Sequence, residues 1–121
     1  MSDHNSKFVD IVSLEEVKNE IKKIGSDPKS IEIMAPKAIS KVIKVENVLL
    51  QDAIIIKQDM LSIGGEVAIP KDAFELKEKH ADILIMGTIK QLYDLVEKLN
   101  RHYPRIKNIA KELLSLLNGI C

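Results

Sequence analysis

Residues 54–70, IIIKQDMLSIGGEVAIP, decide how the chain folds, because an apolar run ends at two adjacent glycines and a second apolar run follows. The β-branched residues of the first run suit a strand, but the length of the run over residues 49–63 and the glycines behind it favour a helix. Gly64 then supplies a left-handed C-cap, and Gly65 lets the chain reverse into a strand. The sequence predicts a helix that is apolar over most of its surface and is the most buried helix of the protein.

A polar pair, Lys57 and Gln58, interrupts this apolar helix. In one interpretation the stem of Lys57 crosses apolar neighbours so that its ammonium group reaches water at the helix edge. In the other, Lys57 and Gln58 line a pocket or a contact with another subunit. The pattern leaves both interpretations open.

The sequence on either side of this helix predicts alternating helices and short strands. Ser13 and Glu16 form a capping box at the start of a helix that ends at Gly25. Further helices are predicted over 89–100, with Thr88 as the cap, and over 104–118, and strands over 8–12, 31–34, 41–46, 66–70 and 81–88. This order indicates an α/β fold, a small sheet of about four short strands, at least partly parallel, packed with about four helices. We expect residues 1–7 to be a disordered tail, residues 8–121 to be one domain, and residues 71–80 to be a surface segment.

A second candidate site lies where the strand ADILIMGT passes into the next helix. Gly87 and Thr88 stand at the carboxyl end of that strand, where α/β proteins often bind ligands, and Lys90 and Gln91 follow in the first helical turn. Free amide groups at the helix start and the Lys90 ammonium group could hold an anion. The alternative is a plain strand-to-helix junction with a capping box formed by Thr88 and Gln91.

Composition excludes several classes of function. The 121 residues include 18 basic and 18 acidic side chains, and aromatic residues make up 3%. A neutral, aromatic-poor chain is a poor nucleic-acid binder, and it associates with itself more easily than a highly charged one, so a homodimer is a candidate assembly. No apolar run is long enough to span a membrane, and a single cysteine, Cys121, suits a reducing cytoplasm.

Catalytic signatures are missing from the pattern. The three histidines are far apart and have no partner at ligand spacing, so we predict no metal site. No serine lies in a nucleophile elbow, and Cys121 is terminal. No carboxylate stands out in an apolar run where burial would raise its pKa. We therefore predict no catalytic residues and no cofactor.

Two blocks, KQDMLSIGGEVA and ADILIMGTIKQLYDLVEKL, resemble the N-terminal extension of dihydropteroate synthases from some archaea and anaerobic bacteria. IKKIGSDPKSIEIMAPKA and SKVIKVENV are similar to an earlier part of that extension. The likeness covers roughly residues 11–117. The residues that match the motifs are Lys57, Gln58, Asp59, Met60, Leu61, Gly64, Gly65, Glu66, Met86, Gly87, Thr88, Lys90 and Gln91.

The resemblance implies a link to folate or methanopterin synthesis without the catalysis, since the pterin and p-aminobenzoate sites of those enzymes belong to a TIM barrel whose motifs are absent here. We expect a free-standing, non-catalytic accessory domain that binds itself or a barrel-type synthase. The alternative is a small-ligand module that holds a pterin or phosphorylated metabolite near Gly87, Thr88 and Lys90, with Lys57 and Gln58 opposite. A small enzyme is the third possibility.

Overall fold

The computed structural model describes residues 3–71, 73 and 79–120 and, within them, three strands and five α-helices. A short 3₁₀ turn follows the second helix. In chain order the elements are α1 (Leu14–Ile24), α2 (Pro28–Met34), the 3₁₀ turn (Ala35–Lys37), β1 (Ser40–Leu49), α3 (Leu50–Ile63), β2 (Glu66–Ala68), β3 (His80–Thr88), α4 (Ile89–Leu99) and α5 (Pro104–Asn118).

The three strands form one antiparallel sheet in the order β1-β3-β2. Ile85 of β3 lies opposite Ile43 of β1 on one side and opposite Val67 of β2 on the other. Because side chains alternate along a strand, these three residues point to the same face of the sheet. That face meets α3, α4 and α5 in the main hydrophobic core.

The other face of the sheet is partly exposed to solvent in the described residues. Ile83 and Ile85 are buried, but Leu84 between them is 39% exposed and Val42 on β1 is 65% exposed. The apolar run ILIM in β3 is typical of a strand that is covered on both faces, but this strand is not. β3 instead alternates between a covered and an open face.

A smaller hydrophobic cluster holds α1 against the end of the sheet. Val17 of α1 packs with Ala35, Ile39 and Ile89, all of them buried. The helix begins as predicted, since Ser13 Oγ accepts a hydrogen bond from the Glu16 amide, and it ends at Gly25 with φ of 88°. The apolar side of α1 at Leu14, Val17 and Ile21 is therefore packed against this cluster.

The predicted four-stranded, partly parallel sheet with about four helices is wrong. Residues 31–34 were predicted as a strand but belong to α2, because Asp27 caps the Lys29 amide at 3.0 Å and Pro28 occupies the first helical turn, where its fixed φ fits. Residues 8–12 were also predicted as a strand, but they pair with none of the three strands, and Phe8 is fully exposed. In residues 31–34 the helix cap outweighs the local β-propensity. Residues 8–12 have β-propensity but no partner strand, so they do not form one.

β1 is longer than predicted because Asn47 does not break it. Asn47 has φ of 57° and lies in a β-bulge between Val45 and Val48, and its amide donates to Asp82 Oδ1 at 3.0 Å. Asparagine tolerates the left-handed region better than most residues, so the strand kinks and continues to Leu49.

Residues 50–63 are helical, as the twin glycines predicted, and Gly64 caps the helix with φ of 106°. Gly65 lies between this cap and the start of β2, and its φ is not positive. A Cβ on Gly65 would lie 2.4 Å from Met60 Cε and 2.9 Å from the Met86 carbonyl oxygen, so this glycine allows close packing. The helix is also less enclosed than predicted, with Leu61 47% exposed.

Some peripheral predictions stay predictions. Most of the predicted surface segment at 71–80 falls outside the described residues, as does Cys121. The division into a tail over 1–7 and a domain over 8–121 likewise stays a prediction. Among the helices of the described ranges, none combines the length and the hydropathy that a membrane crossing requires.

Gly65→Ala should destabilise the protein by about 1–3 kcal/mol, because the new methyl group overlaps the Met60 side chain and a backbone oxygen that cannot move freely. The measurement is urea unfolding of both proteins. Gly119→Ala is the matched control, because its Cβ would come no closer than 3.5 Å to another atom, and the expected change is within about 0.5 kcal/mol. Equal losses in the two variants would contradict the packing argument.

Candidate functional site

Five of the predicted site residues come together at one junction, where α3 ends, β2 begins and β3 passes into α4. They are Gly64, Gly65, Gly87, Thr88 and Gln91. A Cβ on Gly87 would lie 2.4 Å from Met60 Cε and 3.0 Å from Gln91 Oε1, and one on Gly64 would lie 3.2 Å from Gln91 Nε2. The glycines therefore make room for Met60 and Gln91, and the junction is closely packed.

The start of α4 has most of its amide groups occupied. The Thr88 amide donates to Gln91 Oε1 at 2.9 Å, and the Gln91 amide donates to Thr88 Oγ1 at 3.1 Å. The Ile89 amide donates to the Ile39 carbonyl at 2.9 Å. An anion at this position would have to displace these contacts or use the remaining Lys90 amide. The anion-binding role of Gly87, Thr88 and Lys90 stays a prediction.

The other predicted residues lie apart from the junction contacts. Lys90 donates to both carboxylate oxygens of Asp94 one turn further along α4, at 2.6 and 2.7 Å. Gln58 is exposed on α3. Their role in ligand binding also stays a prediction.

Lys57 holds the first residues of β2 against α3. Its ammonium group donates to the Val67 carbonyl at 2.6 Å and to Glu66 Oε1 at 2.9 Å. The hydrogen bond from Lys57, together with one from the Val67 amide, lowers the pKa of Glu66. The lysine thus pairs with a specific partner at the helix edge, where its side chain remains 28% exposed.

A second polar cluster, which the sequence analysis missed, surrounds Asp52 in the first turn of α3. Asp52 is 1% exposed and is the buried charged residue of the described chain. Arg105 Nε donates to Asp52 Oδ2 at 2.6 Å, and Arg105 Nη2 donates to Oδ1 at 3.0 Å. The Tyr103 hydroxyl also donates to Oδ1, and the guanidinium group of Arg105 lies 4.8 Å from the centre of the Tyr103 ring. The carboxylate is therefore fully paired in a fixed, bidentate geometry.

Opposing effects set the charge of this cluster. Burial by itself raises the pKa of Asp52, but the hydrogen bonds from Arg105 and Tyr103, together with the positive charge of Arg105, outweigh it and lower the pKa. The hydrogen bond to Asp52 raises the pKa of Tyr103, and the same carboxylate raises the pKa of Arg105. Asp52 and Arg105 are consequently both charged at neutral pH.

An open cleft of about 260 Å³ adjoins the Asp52 cluster, between the bulge of β1 and one face of α5. Its apolar wall includes Val48 and Ile109. Its polar lining comes from Glu46, Asn47, Asp52, His80, Arg105, Asn108 and Glu112. In the described ranges no set of three His, Cys, Asp or Glu side chains is arranged to hold a metal ion. The arrangement offers hydrogen-bond donors and acceptors side by side, which suits a polar ring better than a simple ion.

Sequence signals for this cluster exist but are weak. Asp52 lies at the start of an apolar run, in LLQDAIII, and Tyr103-Pro104-Arg105 opens the last helix. A buried carboxylate in such a run requires a cation, which makes Asp52 a candidate for pairing. The sequence does not indicate which of the 18 basic residues serves as partner, because Arg105 lies 53 positions away.

Comparison with known proteins shows that the chain is similar in sequence to part of a bifunctional enzyme. It is 32% identical over 103 residues to the bifunctional dihydropteroate synthase/dihydropteroate reductase of Helicobacter pylori. The similarity covers 85% of this chain and 27% of that protein, so the chain spans about a quarter of the length of the relative. No family model and no solved structure matches the chain. The chain is therefore similar to part of a dihydropteroate synthase-related protein, which supports the coarse resemblance that the sequence motifs indicated.

Asp52→Asn should lower the free energy of unfolding by about 1–3 kcal/mol, because it removes the charge that Arg105 and Tyr103 share. The measurement is chemical denaturation at pH 7. Asp94→Asn is the matched control, since Asp94 pairs with Lys90 at the surface, where such pairs contribute about 0.5 kcal/mol or less. A loss for Asp52→Asn no larger than that of the control would show that the buried pair is not stabilising.

The lowered pKa of Asp52 also predicts a loss of stability in acid. A carboxyl group whose pKa is lower in the folded than in the unfolded protein stabilises the fold above the unfolded value of about 3.9, and this contribution disappears as pH falls through the folded value. We expect the melting temperature of the parent protein to fall more steeply than that of Asp52→Asn below about pH 5. Parallel pH profiles for the two proteins would contradict the assignment.

Proposed function

We propose that this chain is an accessory module of pterin metabolism that acts beside a dihydropteroate synthase and takes part in the reduction of dihydropteroate. The observation that carries the proposal is the similarity to a protein named for both activities, which extends over 85% of this chain. It supports a link to folate biosynthesis, and a pterin of folate or methanopterin type would be the ligand.

The fold favours the reductase activity over the synthase activity for this chain. The resemblance assigns synthase catalysis to a TIM barrel, and such a barrel needs eight parallel strands and about 250 residues. The described part of this chain has three antiparallel strands. The similarity covers 27% of the relative, which leaves ample length there for a separate barrel. The segment shared with this chain is thus a candidate for the other named activity.

Reduction of a dihydropterin places a hydride on carbon and a proton on nitrogen of the C=N bond. Protein side chains do not supply hydride, so a nicotinamide or a reduced flavin must be oxidised in the same step. In this proposal the chain binds and orients the pterin. The hydride donor is added in the assay or is bound by a partner protein.

The second candidate is the non-catalytic accessory role, in which the chain binds a barrel-type synthase or a second copy of itself. The observation that favours it is the open face of the sheet, where Val42 and Leu84 remain exposed. Apolar side chains exposed together on one face are a common feature of protein contacts.

Reduction of 7,8-dihydropteroate should be measured with the purified chain and NADPH, NADH, reduced FMN or reduced FAD, each with and without a barrel-type synthase. We expect a tetrahydro product with at least one donor, at a rate that depends on the concentration of this chain. The synthase alone with each donor is the control. Absence of product in every combination would refute the reductase role, and a stable complex with the synthase in the same samples would favour the non-catalytic candidate.

A further inference from the structure

We propose that the cleft between the bulge of β1 and α5 is the pterin site, and that it holds the edge of the ring that carries the 2-amino and 4-oxo groups. The inference rests on the proposed function for the identity of the ligand. The site itself is argued from the side chains that line the cleft and from their charges.

One wall of the cleft is a single face of α5. Arg105, Asn108 and Glu112 follow one another at spacings of three and four residues, which places them in one row on a helix. The row offers a cation, an amide and a carboxylate in that order. All three residues are exposed, so their polar ends are accessible to a ligand.

The bulge of β1 forms the opposite wall. Glu46 and Asn47 lie where the register shifts between Val45 and Val48, and both residues line the cleft. A bulge locally bends a strand and redirects its side chains, and bulges are common beside binding sites. The Asn47 amide is fixed by Asp82, which holds this wall in place.

Arg105 is oriented before any ligand arrives. Asp52 binds its Nε and Nη2, and Nη2 also lies 3.3 Å from the Tyr103 hydroxyl. Within the described ranges, Nη1 of Arg105 has no hydrogen-bond partner, and the side chain is 48% exposed. A donor that is already immobilised loses little conformational entropy on binding, so Arg105 is well suited to recognise a carbonyl oxygen.

These groups complement a pterin edge. The edge presents an amino group and a ring N–H as neighbouring donors, followed by a carbonyl acceptor. A carboxylate of Glu46 or Glu112 accepts from both donors, while Arg105 or Asn108 donates to the carbonyl. Hydrogen bonds with one charged partner are the stronger kind, and two in parallel fix the orientation of the ring.

Charge and size favour this ligand over a simple anion. The carboxylates of Glu46 and Glu112 repel phosphate, whereas a neutral ring with two donors is attracted to them. The cleft volume of about 260 Å³ lies below the roughly 300–1,000 Å³ of pockets for drug-sized ligands. It suits one fused ring lying on Val48 and Ile109, with the remainder of a dihydropteroate outside.

Another opening, lined by Gln51, Tyr103, Pro104 and Arg105, is a weaker candidate. Its volume of about 550 Å³ is larger, but its lining includes no carboxylate to accept from the amino group. It shares Arg105 with the cleft, so substitution of Arg105 would not separate the two openings. The carboxylates do separate them, and the experiment therefore uses glutamate variants.

Binding of 7,8-dihydropterin to the full chain should be followed by isothermal titration. Glu46→Gln and Glu112→Gln keep the shape of each side chain but remove the charge that accepts from the ring. We expect at least one of them to raise Kd about tenfold or more. Glu97→Gln, on the exposed face of α4, is the matched control and should change Kd less than twofold.

Competition by nucleosides tests recognition of the edge independently. Guanosine carries the same arrangement of amino group, ring N–H and carbonyl, whereas adenosine does not, so guanosine alone should displace the pterin from the parent protein. Equal competition by both nucleosides would overturn the inference, as would pterin binding that neither glutamate variant weakens. If pterin binds but neither glutamate variant weakens the binding, the pterin binds elsewhere on the chain and the proposed function stands. Absence of any pterin binding also overturns the inference, and the reduction assay then decides the proposed function separately.

Discussion

The close approach of Met60 to two glycines is the constraint on which the fold depends. Gly65 opens β2 and Gly87 lies near the end of β3, and a Cβ on either would lie 2.4 Å from Met60 Cε. With hydrogen atoms at these positions, the fully buried Met60 side chain packs against the ends of the two paired strands. The end of α3 is thereby held against the sheet, and Gln91 at the start of α4 packs beside Gly64 and Gly87. A dense interior tolerates little change in volume at such a point.

Several polar contacts then tie α3 to its neighbours, and those of Lys57 and Asp52 differ in physical character. Lys57 binds Glu66 and the Val67 carbonyl at a partly exposed edge, where water screens the charges. Asp52 is buried, and it binds Arg105 and Tyr103 from the first turn of α5. A buried carboxylate is tolerated only when it is fully paired, so the second contact fixes the position of α5 more strictly than the first fixes β2.

This geometry connects the fold with the proposed role in pterin metabolism. The same pairing that balances the charge of Asp52 leaves one guanidinium nitrogen of Arg105 beside a cleft that the carboxylates of Glu46, Asp52 and Glu112 line. The glycine junction, where the motifs of the resemblance are concentrated, is closely packed around Met60. Gly65 and Gly87, which belong to these motifs, allow this close packing, whereas the cleft is lined by residues from β1, α3, β3 and α5.

The sequence by itself determined the features that depend on neighbours within about one helical turn. The caps at Ser13 and Gly64, the helix over 50–63 and the capping box of Thr88 with Gln91 were predictable for this reason. Tertiary structure alone decided the direction of strand pairing, the bulge at Asn47 and the partner of Asp52. These features depend on contacts between residues far apart in the chain, such as the 53 positions from Asp52 to Arg105, and no local preference encodes which distant surfaces meet.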